Sequence, residues 1–192
     1  EEVREKVAIA KERKIWHILV NNTGGPKGGP IFEADTSEFI KAFSMHLECN
    51  QILVQAVVPG MKEADYGRII NIISTSVKQP IDGLGVSNTI RGAVANWSKT
   101  LANELGQYGI TVNNVLPGFT ATDRLTAIID KVADRTGKSK EDASKWMQSL
   151  VPAKRFAQPG EVANAVAFLA TEAASYINGI NLPVDGGRTK SL

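Results

Sequence analysis

The chain of 192 residues is 43% hydrophobic and 22% charged, with a formal net charge of +2, the balance of one ordinary globular domain. Its Lys and Arg residues are scattered rather than gathered into a stripe, which argues against a nucleic-acid partner, and no apolar run approaches the ~18 residues of a membrane span. The opening EEVREK is charged, unlike a secretory signal, and the single Cys49 cannot form an internal disulfide, so a reducing, cytoplasmic setting is expected.

Residues 1–14 read as the end of a helix, with Val3, Val7 and Ala10 at helical spacing. Because the chain opens at Glu1 without Met and part-way through that helix, the working protein is expected to be longer. Ile15 to Asn21 then read as a strand, in which Ile18, Leu19 and Val20 form a short buried run. GGPKGGP at 24–30 contains two prolines and opens no helix directly, so it reads as a turn-rich loop and not as a dinucleotide fingerprint. Asp35 or Thr36 is the amino cap of the next helix, which Phe39, Phe43, Leu47, Ile52, Val54 and Val58 carry to a stop at Pro59-Gly60.

Ile69, Ile70, Ile72 and Ile73 make a nearly continuous β-branched run, the pattern of a strand buried on both faces of a parallel sheet. Ser74, Thr75 and Ser76 follow at its carboxyl end, where open α/β sheets bind their ligands. A helix from Ser87 to Gly106 comes next, with Ile90, Val94, Trp97, Leu101 and Leu105 on one stripe. Ala93, Ala95 and Ala102 widen its apolar surface, which predicts a two-fold homodimer. Ile110 to Leu116 is a further strand, closed by Pro117-Gly118.

Between Thr120 and Phe156 lies a helical excursion broken at Gly137-Lys138-Ser139. Leu125, Ile128, Ile129 and Val132 stripe its first half, and Trp146, Met147 and Leu150 its second, so it reads as a lid or a dimer surface. Gln158 to Glu161 start a helix with Val162, Val166 and Leu169, and Ile180 to Val184 form the last strand. The alternation of strands and helices is that of a parallel α/β sheet with right-handed crossovers. Its first strand, Ile15 to Asn21, is expected to be an open, aggregation-prone edge.

Four segments in order carry a family likeness. NNTG at 21–24, GRIINIIS at 67–74, ITVNNVLPGFTAT at 110–122 and INGINLPVDGG at 177–187 resemble landmarks of the short-chain dehydrogenase/reductase family, and the resemblance runs over essentially all 192 residues. It implies a Rossmann-like, doubly wound parallel sheet in three α/β/α layers, a single domain over 1–192 that lacks the amino-terminal strand-helix units and their Gly-rich turn. It also implies NAD or NADP as cofactor, the choice being unreadable, and a carbonyl or alcohol substrate, and it extends the expected homodimer to a homotetramer with two-fold axes. The apolar excursion favours an acyl or other hydrophobic compound. Cofactor contacts fall on Asn21, Asn22, Gly24, Pro117, Gly118, Thr120 and Thr122, the hydroxyl of Thr122 suiting a carboxamide. No metal site is expected.

The family's proton chemistry uses a tyrosine, a lysine four residues on, and a serine in the preceding loop. Ser74 occupies the serine position, but the tyrosine position holds Ser87 and the lysine position Arg91, while the helix asparagine falls at Met45-His46-Leu47. An aliphatic hydroxyl titrates far above a phenol, and Arg cannot be tuned as Lys can. Ser74, Ser87, Arg91 and His46 are therefore the candidate catalytic residues, with Arg91 also suited to a ribose hydroxyl or a phosphate. The expected activity is NAD(P)-dependent carbonyl reduction or alcohol oxidation of the 3-oxoacyl-[acyl-carrier-protein] reductase kind. The alternative is a catalytically silent binding or regulatory protein on the same scaffold.

Overall fold

The computed structural model describes residues 2–11 and 15–191. Four parallel strands, β1 (Ile18–Asn22), β2 (Gly67–Ile72), β3 (Ile110–Pro117) and β4 (Asn181–Val184), lie side by side in chain order. Helix α1 (Glu2–Lys11) precedes them; the other expected helical residues, 1 and 12–14, lie outside the described ones. The first strand begins at Ile18, not Ile15, because its pairing with β2 starts at Ile18 opposite Arg68. The last begins at Asn181, one residue later than expected.

β2 and β3 are buried on both faces, as strands rich in β-branched apolar residues are in a parallel sheet. On one face Ile69, Ile110 and Val112 pack against α3 (Cys49–Glu63) and α4 (Gly85–Leu105). On the other, Ile70 and Val115 pack against α7 (Pro159–Leu169). The three layers expected from the sequence are therefore present. Their crossovers are not all of one hand, however. The strands step in one direction, yet α3 and α4 cover one face and α7 the other, so the β3-to-β4 connection has the opposite hand to the other two. The right-handed rule holds for compact units, and this connection also carries α5 (Asp123–Thr136) and α6 (Lys140–Ser149).

The helix capped by Asp35, whose carboxylate accepts from Ser37 N at 2.8 Å, is not continuous. It is α2 (Thr36–Phe43), then one π turn over Ser44–Glu48, then α3. Nor does it stop at Pro59. Pro59 removes one hydrogen bond in the last turns of α3, and the helix runs on to Glu63, where Met61 is fully buried. α4 begins at Gly85, two residues before the expected start. Ala95 and Ala102 of this helix face the core, leaving Thr89, Ala93, Asn96 and Thr100 outward. Gly109 turns the chain into β3 at φ 66°, where a Cβ would stand 2.4 Å from the Asp65 carbonyl oxygen; only glycine fits there.

Each strand carries one asparagine at the same level of the sheet: Asn21, Asn71, Asn114 and Asn181 are successive register partners. Their side chains form a row of hydrogen bonds. Asn21 Nδ2 donates to Asn71 Oδ1 at 2.8 Å, Asn71 Nδ2 to Asn114 Oδ1 at 3.1 Å, and Asn114 Nδ2 to Asn181 Oδ1 at 2.8 Å. Ser98 of α4 joins the row, accepting from Asn71 at 2.9 Å and lying 2.8 Å from Asn114 Oδ1. β1 is the open edge, with Ile18 and Val20 46% and 45% exposed. Asn114→Ala removes the central member and strands buried groups on both sides, so it is expected to cost about 3 kcal/mol. Urea unfolding should show a lowered midpoint, and Asn103→Ala on the outer face of α4 should leave it unchanged.

Candidate functional site

The carboxyl ends of the strands form one edge, and the residues singled out from the sequence line it. Ser74, half-buried just past β2, has extended backbone, and its hydroxyl accepts from Ser76 N at 3.1 Å to cap a short 3-10 turn. That bond uses an oxygen lone pair. The Ser74 proton has no acceptor within the described structure, so the hydroxyl is a free donor. Ser87 lies in the first turn of α4, 6% exposed, and its hydroxyl has no hydrogen-bond partner among the described residues.

Arg91, one turn further along α4, clamps two strand ends together: it donates to Ile72 O at 2.8 Å and to Thr23 O at 3.5 Å. It is buried, and its Nε has no partner. Burial and the nearby Arg124 charge push its pKa down to about 10. His46 is aimed into the same region by the π turn, which inserts an extra residue into the helix and rotates the side chain inward. It is 2% exposed; Nδ1 shares a hydrogen bond with Thr23 Oγ1, and Nε2 has no partner. Burial first, then the charges of Arg91 and Arg124, lower its pKa to about 4.

The structure thus joins His46, Thr23 and Arg91 in one cluster, with Ser74 two residues beyond the carbonyl that Arg91 holds. Asn21 sits below them in the asparagine row, while Asn22 and Gly24 are exposed, with open space above Gly24. The Pro117-Gly118 turn lies across the same edge. Gly118 passes so close to β4's end that a Cβ would meet Asp185 Cα at 2.7 Å, and Asp185 in turn accepts from Gly187 N and Thr189 N at 2.9 and 2.7 Å. The hydroxyls of Thr120 and Thr122 donate within their own loop, to Gly118 O and Thr120 O at 3.3 and 3.4 Å. The GGPKGGP loop is pinned to the start of α4 by Gly29 N to Gly83 O at 2.7 Å and Gly85 N to Gly29 O at 3.3 Å.

The sequence reading passed over Thr23, Arg124 and the asparagine row. The row had a signal: each of the four apolar strands carries an asparagine, Asn21, Asn71, Asn114 and Asn181. Arg124 had none, because only folding brings it against Gly25.

The model of the family described as enoyl-(acyl carrier protein) reductase matches residues 2–189. The chain belongs to the short-chain dehydrogenase/reductase family. Among its relatives, the NADPH-dependent reductase BacG of Bacillus subtilis is 32% identical over 175 residues, covering 91% of this chain and 68% of that one. The 3-oxoacyl-[acyl-carrier-protein] reductase FabG of Vibrio cholerae is 36% identical over 182 residues, covering 94% and 69%. A solved actinorhodin polyketide ketoreductase with NADPH superposes with a TM-score of 0.92 at 32% identity, over 98% of this chain and 74% of that one. The family is one of oxidoreductases built on the Rossmann-like sheet seen here. Among the described residues, no helix is long and apolar enough to cross a membrane.

The residues present fit one end of a nicotinamide dinucleotide. The open space over Gly24, the exposed Thr122 hydroxyl and the uncommitted N–H groups of Arg91 suit a flat amide-bearing ring and a ribose. The other end calls for a Gly-rich turn that opens a helix; here the glycine-rich loop leads into a 3-10 turn, Ile31–Glu33.

His46 also sets a pH dependence. Its folded pKa lies below its ordinary value of 6.5, so the unfolded chain takes up the proton first. Stability is intact above about pH 6.5, declines as pH falls through that window, and has lost up to about 3 kcal/mol by pH 4. Urea midpoints measured across this range should fall with pH, and His46→Asn should flatten the fall.

Proposed function

We propose that the chain acts as an NAD(P)-dependent carbonyl reductase, or in reverse an alcohol dehydrogenase, on acyl or other hydrophobic carbonyl compounds of the 3-oxoacyl kind. The observation that carries this reading is Ser74. It stands where open α/β sheets bind ligands, its backbone is fixed by the cap to Ser76, and its proton is uncommitted. A carbonyl oxygen placed there receives that hydrogen bond, which strengthens as the oxygen becomes an alkoxide. Asn21, Asn22, Gly24, Arg91, Pro117, Gly118, Thr120 and Thr122 are the residues proposed to hold the cofactor. When bound, the cofactor supplies hydride; BacG and the actinorhodin ketoreductase, both described with NADPH, support that choice of chemistry.

The chain's own residues then divide the proton work. Arg91 contributes positive charge beside the developing alkoxide but keeps its proton at neutral pH, since its pKa of about 10 remains well above it. His46 is neutral there, with a pKa of about 4, and a neutral imidazole is a weak acid. Water admitted beside Ser87, where the family's phenol is absent, is the proposed final donor. Residues 1–192 are taken as a single Rossmann-type domain that works in the cytoplasm as a homodimer or homotetramer. The exposed Ile40, Phe43 and Met45 on and beside α2 support assembly through the helical face.

Ser74→Ala should lower turnover on a 3-oxoacyl substrate by about two orders of magnitude, roughly 3 kcal/mol, with cofactor affinity nearly unchanged. Ser87→Tyr with Arg91→Lys should raise turnover by about 10² to 10⁴-fold through general acid catalysis. Steady-state kinetics on a carbonyl panel tests both. A parent inert to every compound but active as the double variant would replace this reading with that of a silent binding protein.

A further inference from the structure

Two guanidinium groups converge on the turn that leaves β1. Arg91 reaches Thr23 O from α4 at 3.5 Å. Arg124, in the first turn of α5, lies against Gly25 so closely that a Cβ there would stand 2.4 Å from one of its nitrogens. The ion pairs among the described residues use neither. Arg91 and His46 feel this charge: after burial, Arg124 depresses the pKa of Arg91, and both arginines depress that of His46.

Two further atoms at the same turn are buried and unpartnered, Arg91 Nε and His46 Nε2. Two of Arg91's five N–H donors are spent on Ile72 and Thr23, and the rest are free. Like charges held together without a counter-ion repel; an oxyanion between them removes the repulsion and gains charge-assisted hydrogen bonds. Arg124 is exposed, so the anion has a way in.

We propose that Arg91 and Arg124 form an oxyanion subsite over the Thr23–Gly25 turn, which takes a carboxylate or phosphate group of a ligand bound at the carboxyl edge of the sheet. The subsite deepens the reading of this edge as the ligand site, since it restricts the ligand to one that carries such a group. It does not depend on turnover.

The test is calorimetric titration of the chain at neutral pH with malonate and, separately, with inorganic phosphate, alongside NMR titration of its two histidines, His17 and His46. Either anion should bind and should move the His46 midpoint upward from about 4. Arg124→Gln should weaken binding at least tenfold and raise the His46 midpoint with no anion present. Arg135→Gln, at the far end of α5, should do neither. Tighter binding of malonate assigns the subsite to a substrate carboxylate, and tighter binding of phosphate assigns it to a phosphorylated ligand. A His46 midpoint that neither anion moves, with equal affinities in the parent and Arg124→Gln, overturns the proposal. Anion binding in a chain that reduces no carbonyl leaves the subsite standing and removes only the reaction assigned to the edge.

Discussion

The sheet depends on the row of asparagine amides that crosses it. Parallel strands rich in Ile and Val can slide past one another with little loss of apolar contact, and a one-residue slip would turn every side chain to the wrong face. Asn21, Asn71, Asn114 and Asn181 forbid this. Each meets its partner only in the observed register, and a slip would leave buried amides unpaired in a low-dielectric interior. All the amides donate in one sense, from β1 toward β4, so each bond polarises the next. Ser98 ties the row to α4, and α4 carries Ser87 and Arg91. Placement of the site and register of the sheet therefore have one origin.

Local pattern was enough for much of the fold. The Ile69 to Ile73 run announced a doubly covered strand, the Ile90 to Leu105 stripe announced α4, and Gly137 marked a real break, with φ 65° at the end of α5. What stayed hidden was decided by tertiary context. The π turn at Ser44–Glu48 has no composition of its own; it exists because the packing that rotates His46 inward outweighs one turn of regular helix. Pro59 reads as a stop because it lacks an N–H, yet burial of Met61 carries α3 past it. The hand of the β3-to-β4 connection is a property of the whole sheet, invisible to any window.

Within the site, residue types were legible and their roles less so. Ser74 stands at the strand end as its motif implied. Arg91 was read as a possible ligand contact, and the structure adds a second duty: it stitches the ends of β1 and β2 through Thr23 O and Ile72 O. Those bonds fix the guanidinium more firmly than a lysine in its place could be fixed, because a planar fork meets two carbonyls at once. His46 changes character for the same reason. Surrounded by cationic groups and apolar helix, it is a neutral packing residue at physiological pH, and its charge state reports on the field at the turn.

The opposite hand of the β3-to-β4 connection bears on the order in which the molecule assembles. β1, α3, β2, α4 and β3 form a run of neighbours joined by crossovers shorter than the one that leads to β4. β4 must wait for the chain to travel out through α5 and α6 and return by way of α7, and the entropy of that closure is met only when the α7 layer docks on Ile70 and Val115. A partly opened molecule that has shed β4 and α7 keeps Asn71, Ser98 and Asn114 bonded to one another, and with them the half of the edge that holds Ser74, Arg91 and His46. It gives up the support of Asp185 behind Gly118, so local unfolding at the carboxyl terminus loosens one wall of the cleft while leaving the other intact.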